Sequence, residues 1–196
     1  MSLDELSMAA DKQTGAEMVD VEANRRSAKW TMREKVARVA WGLAHPLFAW
    51  SPRLMWSWRR QLLRLFGAKI GGEVHIYPSA RITMPWNLTI GSQSAVGDRA
   101  ILYALGPITI GNRTTVSQGA HLCAGTHDWR RADRPLLKPP IVIESDVWIC
   151  ADAFIGPGVT VGNGAIVGAR AVAMKDVASD SIVVGNPAEQ LRRGGK

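Results

Sequence analysis

The chain has 196 residues, 46% of them hydrophobic, and a formal net charge of +7, which suits one domain with a buried core plus an appendage. Residues 1–22 carry six acids and one lysine, residues 25–64 carry ten basic residues and one acid, and the rest is close to balanced; one concentrated basic block argues for a local anionic partner and against a nucleic-acid surface. Two cysteines without a paired framework, no long uncharged apolar run and an acidic, polar opening argue against a disulfide scaffold, a membrane span and secretion, so a cytoplasmic location is the expectation.

Residues 1–24 read as a polar N-terminal extension and residues 25–67 as a basic, tryptophan-rich helical cap. Met32, Val36, Val39 and Leu43 recur at helical spacing, and Pro46 is expected to end that helix. Ser51-Pro52 can restart one, with Met55, Trp58, Leu62 and Leu65 as its stripe and Gly67 closing it. The spacing predicts helices over about 28–45 and 52–66. Five of the eight tryptophans, Trp30, Trp41, Trp50, Trp56 and Trp58, fall in this segment. Two uses are open. The rings can cap the region that follows, or Trp41, Trp56 or Trp58 can join Arg25, Arg26, Lys29, Arg33, Lys35 and Arg38 in peripheral contact with the inner face of the cytoplasmic membrane.

From residue 68 to about 180 the chain follows a six-residue beat. Ile90, Val96 and Leu102 carry it, and Ile110, Val116 and Leu122 resume it after a phase slip. Ile143, Ile149, Ile155, Val161, Val167 and Ala173 then hold a single register. Glycine often follows the beat residue, and an early shift falls at Pro85-Trp86-Asn87. A period of six fits neither a helix nor a long strand; it fits a solenoid of very short parallel strands, three hexads to a triangular coil. Residues 126–140, THDWRRADRPLLKPP, break the beat and predict a projecting loop, the kind of place where sites are built on a rigid scaffold. Residues 181–196 form a basic tail.

These hexads, together with GTHDW (Gly125 to Trp129), DVWIC (Asp146 to Cys150), GPGVTVGNGAIVGARAV (Gly156 to Val172), KDV (Lys175 to Val177) and GNPA (Gly185 to Ala188), resemble the left-handed β-helix acyltransferases. FAWSP (Phe48 to Pro52), LLRLFGAKIG (Leu62 to Gly71) and LYALGPITIG (Leu102 to Gly111) are similar to the sugar O-acetyltransferases of colanic acid and exopolysaccharide pathways. The resemblance implies a mainly β fold, a left-handed parallel β-helix of hexapeptide repeats with an N-terminal helical segment. It also implies a homotrimer with active sites between neighbours, acetyl-CoA lying along the groove as acyl donor, and a saccharide acceptor, free, nucleotide-linked or lipid-linked.

Carried over by the same resemblance, His127 is the general base, and a neutral imidazole suits proton removal from a sugar hydroxyl near pH 7. Asp128 is a candidate to orient the ring or touch the sugar. His121, one hexad earlier on the same beat, is a candidate for acceptor contact or support of the site; a stacked surface histidine is the competing reading. Tyr103 is an acceptor candidate, because LYALG stands where better-known family members have an acceptor-binding asparagine. For the cofactor, Trp148 frames the groove, Ala151, Gly168 and Ala169 pass the pantetheine arm, and Lys175 and Arg192 meet the nucleotide phosphates. Cys150 departs from the family's glycine. His45 and His75 read as structural, and Cys123 and Cys150 as turn filling, with no metal expected. Two alternatives stand beside acyl transfer: a catalytically silent scaffold or binding protein, and a zinc-dependent carbonic-anhydrase-like enzyme on His75, His121 and His127. Against the latter, its later histidines are five apart, whereas His121 and His127 are six apart.

Overall fold

Each hexad builds one side of a triangle. In the computed structural model, which describes residues 19–191, the first coil is β1 (Lys69–Ile70), β2 (His75–Ile76) and β3 (Arg81–Ile82). The second is β4 (Leu88–Ile90), β5 (Ala95–Val96) and β6 (Ile101–Tyr103), and the third β7 (Ile108–Ile110), β8 (Thr115–Val116) and β9 (His121–Cys123). After the hairpin β10 (Thr126–His127) and β11 (Leu136–Leu137) come β12 (Ile141–Ile143), β13 (Trp148–Ile149) and β14 (Phe154–Ile155). The fifth coil is β15 (Thr160–Val161), β16 (Ile166–Val167) and β17 (Val172–Ala173); β18 (Ile182–Val184) and β19 (Glu189–Gln190) end the series. The strands stack into three sheets: face A is β1-β4-β7-β12-β15, face B is β2-β5-β8-β13-β16-β18 closed by β19, and face C is β3-β6-β9-β14-β17. Every coil-to-coil pairing is parallel; β19 turns back antiparallel on β18.

The fold is therefore a triangular β-solenoid. Its core is the beat itself: Ile90, Val96, Leu102, Ile110, Val116, Leu122 and the run from Ile143 to Ala173 are all no more than 2% exposed. The chain turns between strands through a residue three places before the next inward-facing strand residue of the six-residue beat. Glu73, Gln93, Arg99, Arg113, Asp146, Asp152, Arg170 and Asp180 occupy that place with φ between 52° and 60°. The glycine after the beat residue has a different reason. A Cβ on Gly91 would lie 2.6 Å from the Asn112 amide nitrogen, and one on Gly111 would lie 2.6 Å from the Ser145 amide nitrogen. The next coil leaves no room for a side chain there.

The coils are not all three plain hexads. Ile70 pairs with Ile90 and Ile90 with Ile110, so each early coil takes 20 residues, the separation that also links Ser79 to the Arg99 amide. The extra residues all fall at the corner between faces C and A. A 3-10 turn, Pro85–Asn87, comes first, then Ala104–Gly106, then the 126–140 excursion. These insertions stack: the Asn87 carboxamide donates to the carbonyls of Ala104 (2.9 Å) and Leu105 (3.0 Å), and the Gly106 amide donates to Ala124 (2.7 Å). The result is a ledge beneath the projecting loop.

Among the described residues three helices precede the solenoid: α1 (Val21–Arg26), α2 (Met32–Ala49) and α3 (Trp56–Leu65). Thr31 caps α2, its hydroxyl and Glu34 exchanging bonds across the first turn. Two expectations are corrected here. Pro46 lies inside α2, which continues to Ala49; the proline removes one backbone donor, but burial of Phe48 against Trp41, with ring centroids 6.1 Å apart, holds the last turn in place. The anticipated stripe Met32-Val36-Val39-Leu43 faces outward, 62–78% exposed, while Trp41 and Phe48 are buried. In α3 likewise Leu62 is buried together with Arg59 and Leu63, whereas Met55, Trp58 and Leu65 are exposed.

The physical reason is the open end of the first coil. Alternate residues of that coil bond to the second coil through the amides of Gly71, His75, Tyr77, Arg81 and Thr83, so the carbonyls of Ile70, Val74, Ile76 and Ile82 point the other way and need donors. The cap supplies them. Arg64 donates to Ile70 (2.6 Å), Arg60 to Val74 (3.1 Å), Arg59 to Ile76 (2.6 Å) and the Trp41 indole to Ile82 (2.8 Å). Arg59 is wholly buried and also donates to Ser51 and to the carbonyls of Pro52 and Arg53. Burial pushes its pKa below the usual arginine value. The tryptophan segment thus does cap the solenoid, and Trp41 is unavailable for any other surface.

Candidate active site

The excursion at the C–A corner is a hairpin. Gly125 lets it leave the coil close over Leu105, whose side chain would lie 2.9 Å from a Cβ there, and the returning strand crosses Gly106, where a Cβ would meet the Lys138 carbonyl at 2.4 Å. Two ladder pairs form, Thr126 with Leu137 and His127 with Leu136. His127 is exposed, and its Nδ1 lies 2.7 Å from the Arg134 carbonyl oxygen. A carbonyl can only accept, so Nδ1 carries a proton, and in the neutral ring the lone pair is on Nε2.

The N-terminal segment braces this hairpin from outside. The Asn24 carboxamide donates to the carbonyls of Asp133 (2.7 Å) and Arg134 (2.6 Å), and its own oxygen accepts from Lys29 (2.6 Å). The Asp20 amide donates to Ala132 (2.9 Å), and Lys138 donates to the Lys29 carbonyl (3.1 Å) while lying 3.8 Å from the Trp30 ring centroid. Asn24 and His127 therefore share one acceptor. Sequence reasoning missed Asn24; the polarity of the segment was its only trace.

Asp128 does not meet the ring. Its carboxylate accepts the Arg130 amide at 3.1 Å and shapes the hairpin turn. His121 sits on the outer side of face C, in register with Ile101 and Phe154. Its ring is edge-on to Phe154 at 5.2 Å and to Tyr103 at 6.4 Å. Nε2 is buried without a hydrogen-bond partner, and burial lowers the pKa, which favours neutral imidazole. Tyr103, partly exposed, shares this face at the end of β6, paired with Cys123 on the strand that leads into the hairpin.

The cofactor candidates divide between two corners. Trp148 lies on face B, 50% exposed, its indole donating to the Ser117 hydroxyl (2.9 Å). Ser117 also lines a cavity of about 400 Å³ with Tyr77, Asp98, Thr115 and Gln118. Ala151, Gly168 and Ala169 stack at the B–C corner, where the Arg170 amide donates to the Ala151 carbonyl (2.9 Å). Gly168 has a reason within the chain for being small: a Cβ there would come within 2.8 Å of Val184. Lys175 follows β17 and is exposed at the C–A corner, two coils beyond the hairpin, about 10 Å at the usual strand spacing. A single chain thus brings His127 and Lys175 to one corner and Trp148, Ala151, Gly168 and Ala169 to another face and corner. Arg192 lies outside the described residues.

The cysteines and remaining histidines have local roles. The Cys123 thiol donates to the Gly125 carbonyl (3.4 Å), and burial raises the pKa of Cys150, away from a thiolate. His75 stacks on Trp56 with centroids 4.8 Å apart, and His45 lies edge-on to Trp41 at 5.7 Å. Among the described residues no three His, Cys, Asp or Glu side chains converge to hold a metal ion.

Comparison with known proteins matches this architecture. Residues 140–172 match the bacterial transferase hexapeptide (six repeats) family. The chain is 46% identical over 152 residues to the Escherichia coli (strain K12) protein named as a colanic acid biosynthesis acetyltransferase, WcaF, covering 78% of this chain and 84% of that protein. A solved hexapeptide-repeat acetyltransferase from Vibrio cholerae O1 biovar eltor, complexed with acetyl coenzyme A, superposes with a TM-score of 0.76 at 27% identity, over 84% of this chain and 91% of that one. A galactoside acetyltransferase in complex with coenzyme A superposes at 0.77 with 20% identity over 90% and 91% of the two chains, a likeness of fold alone. By that identity and coverage, the solenoid with its histidine hairpin belongs to the hexapeptide-repeat acetyltransferases of the colanic acid biosynthesis type.

Proposed function

We propose that the chain is an acetyl-CoA-dependent O-acetyltransferase acting on a sugar hydroxyl in exopolysaccharide or other surface-glycan synthesis, with His127 as general base. The observation that carries this is the 2.7 Å contact of His127 Nδ1 with the Arg134 carbonyl oxygen, which assigns a proton to Nδ1 and leaves Nε2 for the substrate. His127 Nε2 takes the hydroxyl proton as the sugar oxygen attacks the thioester carbonyl. The Arg134 carbonyl favours the imidazolium that forms at that moment. As the tetrahedral centre collapses, the carbon–sulfur bond breaks and His127 returns the proton to the departing sulfur. Backbone amides are the natural stabilisers of the intermediate oxyanion. The V. cholerae relative solved with acetyl coenzyme A supports the choice of donor.

The division of candidates between two corners supports a homotrimer in which the hairpin of one chain faces the groove of its neighbour. Trp148, Ala151, Gly168 and Ala169 would then line the pantetheine channel, and Lys175 and Arg192 the nucleotide phosphates. Tyr103, Asp128 and His121 remain the acceptor-side candidates.

The deciding experiment presents acetyl-CoA with free, nucleotide-linked and polyprenyl-linked sugars and measures CoA release and product mass. One acceptor should gain a single acetyl group, and light scattering should give the mass of a trimer. A folded trimer that turns over none of these acceptors would establish the silent scaffold instead.

A further inference from the structure

Helix α2 has two apolar faces and the solenoid covers only one. Trp41 and Phe48 pack inward, while Met32 (73%), Val36 (62%), Val39 (65%), Leu43 (78%), Leu47 (57%) and Trp50 (85%) are exposed, as is Leu54 (83%) in the turn beyond. At 3.6 residues per turn the five helical side chains fall within an arc of about 80° on the side away from the core, along a helix about 27 Å long, with Trp50 at its C-cap continuing the stripe. A contiguous apolar stripe of that length marks an interaction surface.

The charges beside it indicate what it meets. Arg33 and Lys35 border the stripe on its two sides and make no ion pair among the described residues. The helix's one acid, Glu34, is turned away. It is bonded to the Thr31 amide and hydroxyl and lies 3.9 Å from Lys138, which together hold its carboxyl below the usual range. A second copy laid on this stripe would bring four uncompensated cations together, whereas an anionic lipid surface offers the missing countercharge. Apolar residues flanked by cations, with an indole at one end, have the arrangement of a helix lying flat at a lipid headgroup boundary.

We propose that the outer face of α2 docks the protein on an anionic bilayer, with Leu43, Leu47 and Trp50 entering the interface and Arg33 and Lys35 meeting the headgroups. This differs from insertion of Trp41, which is buried. It does not depend on the acyl-transfer reading and is tested by binding alone. If that reading also holds, a lipid-linked acceptor would arrive at the surface where the enzyme rests.

The test is flotation of the full chain through a density gradient with two kinds of vesicle. One is phosphatidylcholine alone and the other equal parts phosphatidylcholine and phosphatidylglycerol. The protein should float with the anionic vesicles by at least about tenfold over the neutral ones at low salt, and salt should reverse this. Leu43→Gln, Leu47→Gln and Trp50→Gln combined should abolish flotation with no change in oligomeric mass by light scattering, and Arg33→Gln with Lys35→Gln should weaken it. The proposal falls if the parent ignores anionic vesicles at low salt, or if the triple change leaves flotation intact. It also falls if the triple change alters the oligomeric mass, which would make the stripe a contact between copies.

Discussion

The solenoid wall and the hairpin that carries His127 are ordered in opposite ways. In the wall, each coil's amides find carbonyls on the next coil, as His75 finds Ser94 and Ala95 finds Thr114, and the beat side chains stack beneath that ladder, so order is collective. The hairpin has two ladder pairs, and beyond them it is held by Asn24, Asp20 and Lys138. A reactive imidazole needs a carbonyl that no ladder has already engaged. The wall has few to give, and the hairpin has Arg134.

If that contrast is right, changes in the hairpin should remove chemistry and leave the coils standing. The largest expected effect is His127→Ala, a loss of 10²–10⁴ in turnover, about 3–5 kcal/mol of barrier. Thermal melting and CoA binding should be unchanged. A variant that melts early would show that wall and hairpin are one cooperative unit.

The reverse case is Gly111→Val. Its Cβ would lie 2.6 Å from backbone of the next coil, and an overpacked wall should lose about 3 kcal/mol of stability, read as a lower denaturation midpoint. Equal stability would mean that the coils can part, and that the wall is softer than its ladder implies.

Asn24→Ala should lower kcat by about tenfold, near 1.4 kcal/mol, through freedom given to the Arg134 carbonyl. The KM for acetyl-CoA and the melting temperature should not move. Asn24→Asp, which cannot donate to those carbonyls, should be at least as impaired. Normal turnover in both would remove the brace from the account of catalysis.

The smallest effect concerns pH. Burial holds the His121 pKa below its unfolded value, so the folded state binds fewer protons than the unfolded state in the window beneath about 6.5. Its contribution is complete above that value and declines as pH falls toward the lowered folded-state pKa. His121→Phe should lose this part of the acid sensitivity and remain folded between Tyr103 and Phe154. An unchanged pH profile of melting would place the sensitivity elsewhere.

The wall was legible because a beat of six repeats itself: Ile143 to Ala173 could be placed inside from their spacing alone, and the phase slip at Pro85 marked an insertion. The helices were legible as helices but not in their orientation. Both Met32-Val36-Val39-Leu43 and Trp41-Phe48 have helical spacing, and the choice between them depends on four carbonyls of the first coil that no local pattern reveals. The loss of the beat over residues 126–140 marked only the loop, and His127 within it stood out through the resemblance of GTHDW to a family motif. The Asn24 contact did not, since it joins residues 110 apart in sequence through backbone oxygens, which leave no mark on residue type.

The cap of arginines on the first coil also has a consequence for order of appearance. Trp41, Arg59, Arg60 and Arg64 precede the coil whose carbonyls they satisfy, while on face B the last strand, β18, is covered by β19, which follows it. During synthesis the lid of the stack emerges before its first storey, and each later coil lands on a surface already completed beneath it. At every stage the chain offers a single growing edge, the one its own next hexads will occupy. A stray strand from another nascent chain has one place to pair, and only for the time it takes the following coil to be made.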